Sequence, residues 1–264
     1  MLSGLRHGVE EGRRAAALAS DAASKKQVIK DFILSRFLKF GRMPNYNHQR
    51  QIRLRGQPLC YRFNRGDLQS LKEVWLEEVY RCALPFRATT VLDLGANIGL
   101  ASVWLARHFR PTHVLAVEPV EANAEIAAKN LLINRVPGAV VTAAVGREEG
   151  KAKFVLRQAS NVGSISTDAL AGDIEVKVQS IQGLLSQLPN RTADLVKMDI
   201  EGTERELLRG DLSWLEQVRA LIVEFHDTQT VVDELINNVM RAGFRYSPLN
   251  EDRQENLGCF VRNS

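Results

Sequence analysis

The chain has 264 residues, 45% hydrophobic and 25% charged, enough for one α/β domain with a sizeable core and an extension. Its net charge of +4 is spread thinly: Arg13-Arg14 and Lys25-Lys26 are the longest basic clusters and read as solvated surface, so no nucleic-acid partner is expected. Cys60, Cys82 and Cys259 are too scattered for a disulfide framework or zinc site, and no stretch resembles a membrane span or cleaved leader; a soluble cytoplasmic protein with no membrane contact is expected.

Residues 1–24 carry few large apolar groups and are expected to be loosely ordered. Over 25–40 the pattern tightens into an amphipathic helix, with Val28, Ile29, Phe32, Ile33, Phe37 and Phe40 on one face. Such a helix caps a substrate pocket, pairs with a second subunit in a homodimer, or only covers the sheet; the residues leave the three open. Gly41 and Pro44 end it. Two short extended stretches, 51–55 and 59–63, then precede a helix over 68–80 with Leu71, Val74, Trp75 and Val79 inside. The expected divisions are an N-terminal extension (1–50), a ribbon and helix leading into the core (51–88), and the main domain (89–264).

Beyond Thr89, strands are predicted near 90–94, 113–118, 139–145, 194–199 and 218–225. Helices fall between them, near 98–109, 121–134, 180–188, 203–209 and 229–242. This alternation predicts a Rossmann-like, mainly parallel sheet with helices on both faces. Lys153 to Leu156 and Ile174 to Val178 interrupt it as further strands, flanking a polar loop that contains Ser160, Asn161 and Ser164. Phe244 to Tyr246 and Gly258 to Val261 read as a closing antiparallel pair, the class I methyltransferase arrangement rather than a pure dinucleotide fold.

The most informative run is Val91-Leu92-Asp93-Leu94-Gly95-Ala96-Asn97-Ile98-Gly99, a buried strand that ends at an acid and turns through glycines into a helix. Glu118, 25 residues after Asp93, ends the next strand just before Pro119. A dinucleotide site wants G-x-G-x-x-G so that pyrophosphate can sit on backbone N–H groups. Here Asn97 replaces the middle glycine, and Asp93 would repel a pyrophosphate but favour the cationic amino group of S-adenosylmethionine (SAM). Glu118 can accept hydrogen bonds from both ribose hydroxyls; the plainer alternative is an acid capping the following helix. Gly95, Asn97 and Gly99 shape the turn, and Ala144 offers apolar packing to the adenine.

With these pieces in place the chain resembles the FkbM family of SAM-dependent O-methyltransferases. The resemblance rests on VLDLGANIGLAS (91–102), AVEPVEANAEIAAKN (116–130), Ala143 to Gly146 and, above all, VKMDIEGTERELLRG (196–210); NRGDLQSLKEVWLEEVY (64–80) fits more loosely. It spans roughly residues 60–262 and leaves 1–50 uncovered. It implies methyl transfer from SAM to a hydroxyl of a sugar, polyketide or other natural product. Competing readings are a nicotinamide-linked oxidoreductase and an inactive SAM-binding protein.

Ligands in open α/β sheets bind beyond the carboxyl ends of the strands, where Asp199, Glu224, His226 and Asp227 should meet. Asp199 can position the acceptor hydroxyl or take its proton. His226 reads as a neutral general base and shares a strand face with Glu224. Glu201, like the polar loop, is assigned to the acceptor, and Glu204 to either a site role or the dipole of its helix. The same acids could ligate a divalent metal, but no fixed spacing demands one and none is expected.

Overall fold

The computed structural model describes residues 2–38, 45–156, 163–166, 173–249 and 256–263. At its centre is a seven-stranded sheet. In chain order its strands are β3 (Thr90–Leu94), β4 (His113–Glu118), β5 (Gly138–Thr142), β10 (Leu195–Met198), β11 (Ala220–Glu224), β12 (Phe244–Pro248) and β13 (Leu257–Arg262). In space they lie β12-β13-β11-β10-β3-β4-β5. The five from β11 to β5 are parallel, and β13 pairs antiparallel with both β11 and β12. The expected Rossmann-like sheet with an antiparallel close is therefore what forms.

Its parallel strands can be nearly all apolar because both faces are covered. One face carries α4 (Leu100–Phe109) and α5 (Glu121–Ile133); the other packs against α6 (Ile181–Leu185), α7 (Glu204–Arg209) and α8 (Gln229–Arg241). From β3 the chain builds outward to β5 and later returns on the other side at β10. That reversal opens a crevice at the carboxyl ends of β3 and β10.

Four stretches differ from the sequence reading. The first is the N-terminus: instead of being loose, Leu2–Leu18 forms a helix, α1, packed against α2 (Ala22–Ser35). Its small residues, read as a lack of hydrophobic drive, permit close approach. A Cβ at Gly12 would lie 3.1 Å from the Ile29 Cα, and Ala15 is fully buried. Asp21 caps α2 by accepting the Ser24 N–H at 2.7 Å. α2 starts and stops earlier than predicted; Phe37 is exposed, and Phe40 lies outside the described residues.

The second is the predicted helix over 68–80, which divides into α3 (Arg65–Leu71) and one π turn (Lys72–Leu76). It follows the ribbon β1 (Gln49–Leu54) and β2 (Gln57–Arg62). The third is the strand expected over 139–145, which breaks at Ala143, whose N–H turns to the Glu118 carbonyl at 3.1 Å. Beyond the break, β6 (Ala144–Gly146) joins a separate four-stranded sheet with β7 (Gly150–Leu156), β8 (Gly163–Ser166) and β9 (Asp173–Ser180), in the order β6-β9-β7-β8. The fourth is the helix near 180–188, which shortens to α6; the Ser180 hydroxyl caps it by accepting the Gly183 N–H at 3.0 Å.

The ribbon is tied to the crevice by buried amides. Asn130 of α5 accepts the Cys60 N–H at 2.7 Å and donates to the carbonyls of Cys60 (2.9 Å) and Ile98 (2.8 Å). One apolar core runs from Ala15, Val28 and Phe32 through Leu54 and Trp75 to Val91 and Ile222. The N-terminal helices and ribbon thus share the core beneath one face of the sheet.

Candidate active site

The rim of the crevice is built from strand ends. Asp93 pairs in register with Lys197 of β10, so both side chains stand on the same side of the sheet. Asp93 has no exposed surface. It accepts the Ser102 hydroxyl at 2.6 Å, and its other oxygen lies 3.3 Å from the Lys197 ammonium. The sequence set Asp93 against an amino group; the structure sets it under the turn, engaged by Ser102 and Lys197.

The turn needs its glycine. Gly95 has φ 74°, and a Cβ there would fall 1.8 Å from the carbonyl oxygen of Asp199. Its N–H and that of Ala96 both donate to the Val117 carbonyl. Asn97 takes φ 49°, which asparagine tolerates better than most residues, and donates its N–H to Glu118 at 2.9 Å. Gly99, at φ 77°, leaves room for Ala127 of α5.

Glu118 is 5% exposed. Besides Asn97, it accepts the Val120 N–H at 3.0 Å and the Asn123 amide at 3.1 Å. Burial raises its pKa, and these three bonds oppose the rise. Asn123 in turn accepts from Arg62 at 2.7 Å, which links the carboxylate to the ribbon. Glu118 thus ties the turn, through Asn97, to the start of α5, through Val120 and Asn123. Pro119 follows it half-buried, and Ala144 is buried at the head of β6.

Across the turn lies an acid–histidine cluster. Asp199 accepts the Tyr80 hydroxyl at 3.0 Å and sits 3.3 Å from Lys197. Tyr80 also reaches Glu224 at 3.5 Å. The His226 Nδ1 is 3.2 Å from Glu204, and its Nε2 lies 3.6 Å from Glu201, 3.7 Å from Asp199 and 3.8 Å from Glu224. Glu204 is buried and accepts the N–H groups of Ile200 (2.9 Å) and Gly202 (2.7 Å), so it shapes the turn after β10 as well as facing the histidine. Glu201 sits on that turn at φ 55°, a conformation costly for a glutamate. Asp227 is drawn aside by Arg205.

This electrostatic setting corrects the expectation of a neutral imidazole. Burial works against a charged His226, but the Glu204 bond and the charges of Asp199 and Glu201 prevail, and its pKa is pushed up to about 10. An imidazolium has no lone pair with which to accept a proton. Glu224 rises to about 8, chiefly through the Asp199 charge and then burial. Glu201 rises to about 7, mainly through burial. Burial would raise Asp199 too, but Lys197 and His226 hold it below its ordinary value. Near neutral pH, Asp199 is therefore the ionised acceptor facing the turn.

Asp199, Glu224 and His226 each place one ligand atom within 4.8 Å of the others, oxygen and nitrogen donors of the kind a divalent cation accepts. Ser160 and Asn161 lie outside the described residues, and Ser164 is placed only by the pairing of β8 with β7. Sequence reasoning missed Tyr80, Lys197, Ser102 and Asn123. Lys197 had a signal, as the one charge inside the apolar strand Leu195–Met198; Tyr80 had none.

The methyltransferase FkbM domain model matches residues 93–246, more than half of the chain. The chain belongs to the FkbM methyltransferase family. It is 26% identical over 217 residues to the 31-O-demethyl-FK506 methyltransferase FkbM of Streptomyces tacrolimicus, covering 69% of this chain and 83% of that one. Against methyltransferase 1 of Beauveria bassiana it is 25% identical over 183 residues, covering 60% of this chain and 73% of that one. Among solved structures, M. jannaschii TYW2 in complex with AdoMet superposes with a TM-score of 0.44 at 13% identity, over 84% of this chain and 90% of that one. This FkbM-family chain is a methyltransferase, and the nicotinamide alternative falls away. Among its described residues no helix is long and apolar enough to cross a membrane.

Proposed function

We propose that this FkbM-family methyltransferase moves the methyl group of SAM to a hydroxyl of a small molecule, a sugar, polyketide or other natural product. The observation that carries the reading is the contact between the glycine turn and Asp199. Gly95 lies against the main-chain carbonyl of Asp199, so a ligand on the turn would sit beside the residue whose carboxylate is held ionised. The name of the Streptomyces relative, which specifies an O-demethyl acceptor, supports a hydroxyl.

The residues present fit such a cofactor. Glu118 offers about four acceptor positions, of which in-chain donors use three. It would hold the ribose, with Gly95, Asn97 and Gly99 shaping the floor, Pro119 and Ala144 flanking the base, and Asp93 fixing the turn from beneath. When bound, SAM supplies an electrophilic methyl group on a cationic sulfur. Asp199 accepts the hydrogen bond of the acceptor hydroxyl, aims its oxygen and takes its proton. That proton becomes far more acidic as the oxygen gains carbon, so a carboxylate held low suffices late in the transfer. His226, charged, balances the surrounding acids, and Glu224, protonated near neutral pH, donates. Glu201, beside His226, would contact the acceptor. Holding the groups in line supplies much of the acceleration. No metal step is required.

The test is transfer of isotope-labelled methyl from SAM to a panel of polyhydroxylated sugars and macrolide aglycones, with products located by NMR. An O-methyl ether is expected. Label appearing only on nitrogen or carbon would overturn the hydroxyl assignment.

A further inference from the structure

Lys197 is 1% exposed, in the middle of the central sheet, flanked along its strand by Val196 and Met198. Its ammonium can donate three hydrogen bonds, and four oxygens surround it. Two are main-chain carbonyls of the glycine turn, Gly95 at 2.8 Å and Leu94 at 3.3 Å. The others are carboxylates, Asp93 and Asp199, each at 3.3 Å. The Tyr80 ring lies 5.4 Å from the same nitrogen. Buried ion pairs add little stability compared with a well-packed apolar side chain, so fold stability alone is a poor reason for a lysine here.

The location supplies a better one. The N–H groups of Gly95 and Ala96 are fixed on β4 through Val117; the Gly95 carbonyl has Lys197 as its polar partner, and the Leu94 carbonyl accepts from both Lys197 and the Asp199 N–H at 3.2 Å. We infer that Lys197 is a positioning residue. Its ammonium holds the cofactor turn in its binding shape and, through the same charge, aims the Asp199 carboxylate at the acceptor. The inference rests on the reading of the turn as a SAM site. It adds that the cofactor and acceptor halves share one buried cation.

The experiment is calorimetric titration of the full chain with S-adenosylhomocysteine, the demethylated cofactor. Lys197→Met fills nearly the same volume without charge, so a role in packing alone predicts unchanged affinity. The inference instead predicts a dissociation constant at least tenfold higher, with a native circular-dichroism spectrum. It also predicts partial recovery when propylamine is added to Lys197→Ala. Affinity of Lys197→Met within twofold of the natural chain would overturn the inference. If that variant does not fold, Lys197→Met/Asp199→Asn removes one carboxylate together with the cation. It should bind at least tenfold more weakly than Asp199→Asn alone, and equal affinity overturns the inference. A natural chain that binds neither SAM nor its demethylated product would overturn the cofactor reading, and this inference with it.

Discussion

Replacing Glu118 by alanine tests the cofactor site and the local fold at once. The carboxylate accepts from Asn97 N–H, Val120 N–H and the Asn123 amide, and the remaining acceptor position is the one available to a ribose hydroxyl. A hydrogen bond to a charged group is worth about 1.5–3 kcal/mol, so losing the ribose contact should weaken binding about 10- to 150-fold. The same change strands two partly buried main-chain donors, at up to about 1–3 kcal/mol each unless water enters the space. The Asn123 NH2 loses its acceptor too, because Arg62 only donates to the Asn123 oxygen. Glu118→Ala should therefore lower the melting temperature as well as the affinity. Calorimetry with S-adenosylhomocysteine and a thermal melt read the two effects separately. Affinity within twofold of the natural chain would refute the ribose assignment, leaving Glu118 as a tie between the turn and the start of α5.

Asp199→Asn should cut methyl transfer by about 10²–10⁴-fold, the usual cost of losing a positioned base, and turnover within threefold of the natural chain would remove Asp199 from that role. EDTA should leave activity unchanged; activity abolished by EDTA and restored by Mg²⁺ would make Asp199, Glu224 and His226 a metal site. Stability should fall on the alkaline side. The folded pKa of His226, about 10, lies above the ordinary 6.5, so its contribution is complete below pH 6.5 and is lost by pH 10. Glu224, raised from 4.5 to about 8, adds a fall in the same direction between those values. Melting temperatures across pH 6–10 should decline for the natural chain and less steeply for His226→Gln; parallel curves would contradict the assignment. Deleting residues 1–40 should cause aggregation or a large loss of melting temperature. It takes Asp31 away from Tyr61 (2.6 Å) and Arg50 (3.0 Å) and uncovers Leu54. A monodisperse truncated chain with normal melting would show that the shared core is dispensable.

What could be read in advance was whatever a short window encodes. The β3 turn announced itself because an apolar strand, an acid and two glycines fall within nine residues, and Glu118 because its strand repeats the pattern. The second sheet was less legible. β6 is three residues long, and its departure from the line of β5 depends on the Ala143 N–H turning to Glu118. Helix α1 was hidden by its own composition, since Gly12 and Ala15 stabilise it only when α2 lies against them. The charge on His226 was out of reach for the same reason. It is set by Glu204, Glu201, Asp199 and Glu224, which come from β11, α7 and the turn after β10. Lys197 is the one charge inside its apolar strand, and only the register with Asp93 gives it a partner.

The contact between Gly95 and the Asp199 carbonyl bears on how such an enzyme can acquire new acceptors. Any side chain at position 95 collides with the backbone that carries Asp199, so neither strand end can shift without the other. The strand ends therefore form a joint that admits no side chain at position 95. Diversification is left to parts that do not bear on the joint, the four-stranded β6-β9-β7-β8 sheet above all; Gly202 has open space for a Cβ, but at φ 104° it strains any side chain. A directed-evolution library aimed at a new acceptor should be confined to those regions and leave residues 93–99 and 197–199 untouched.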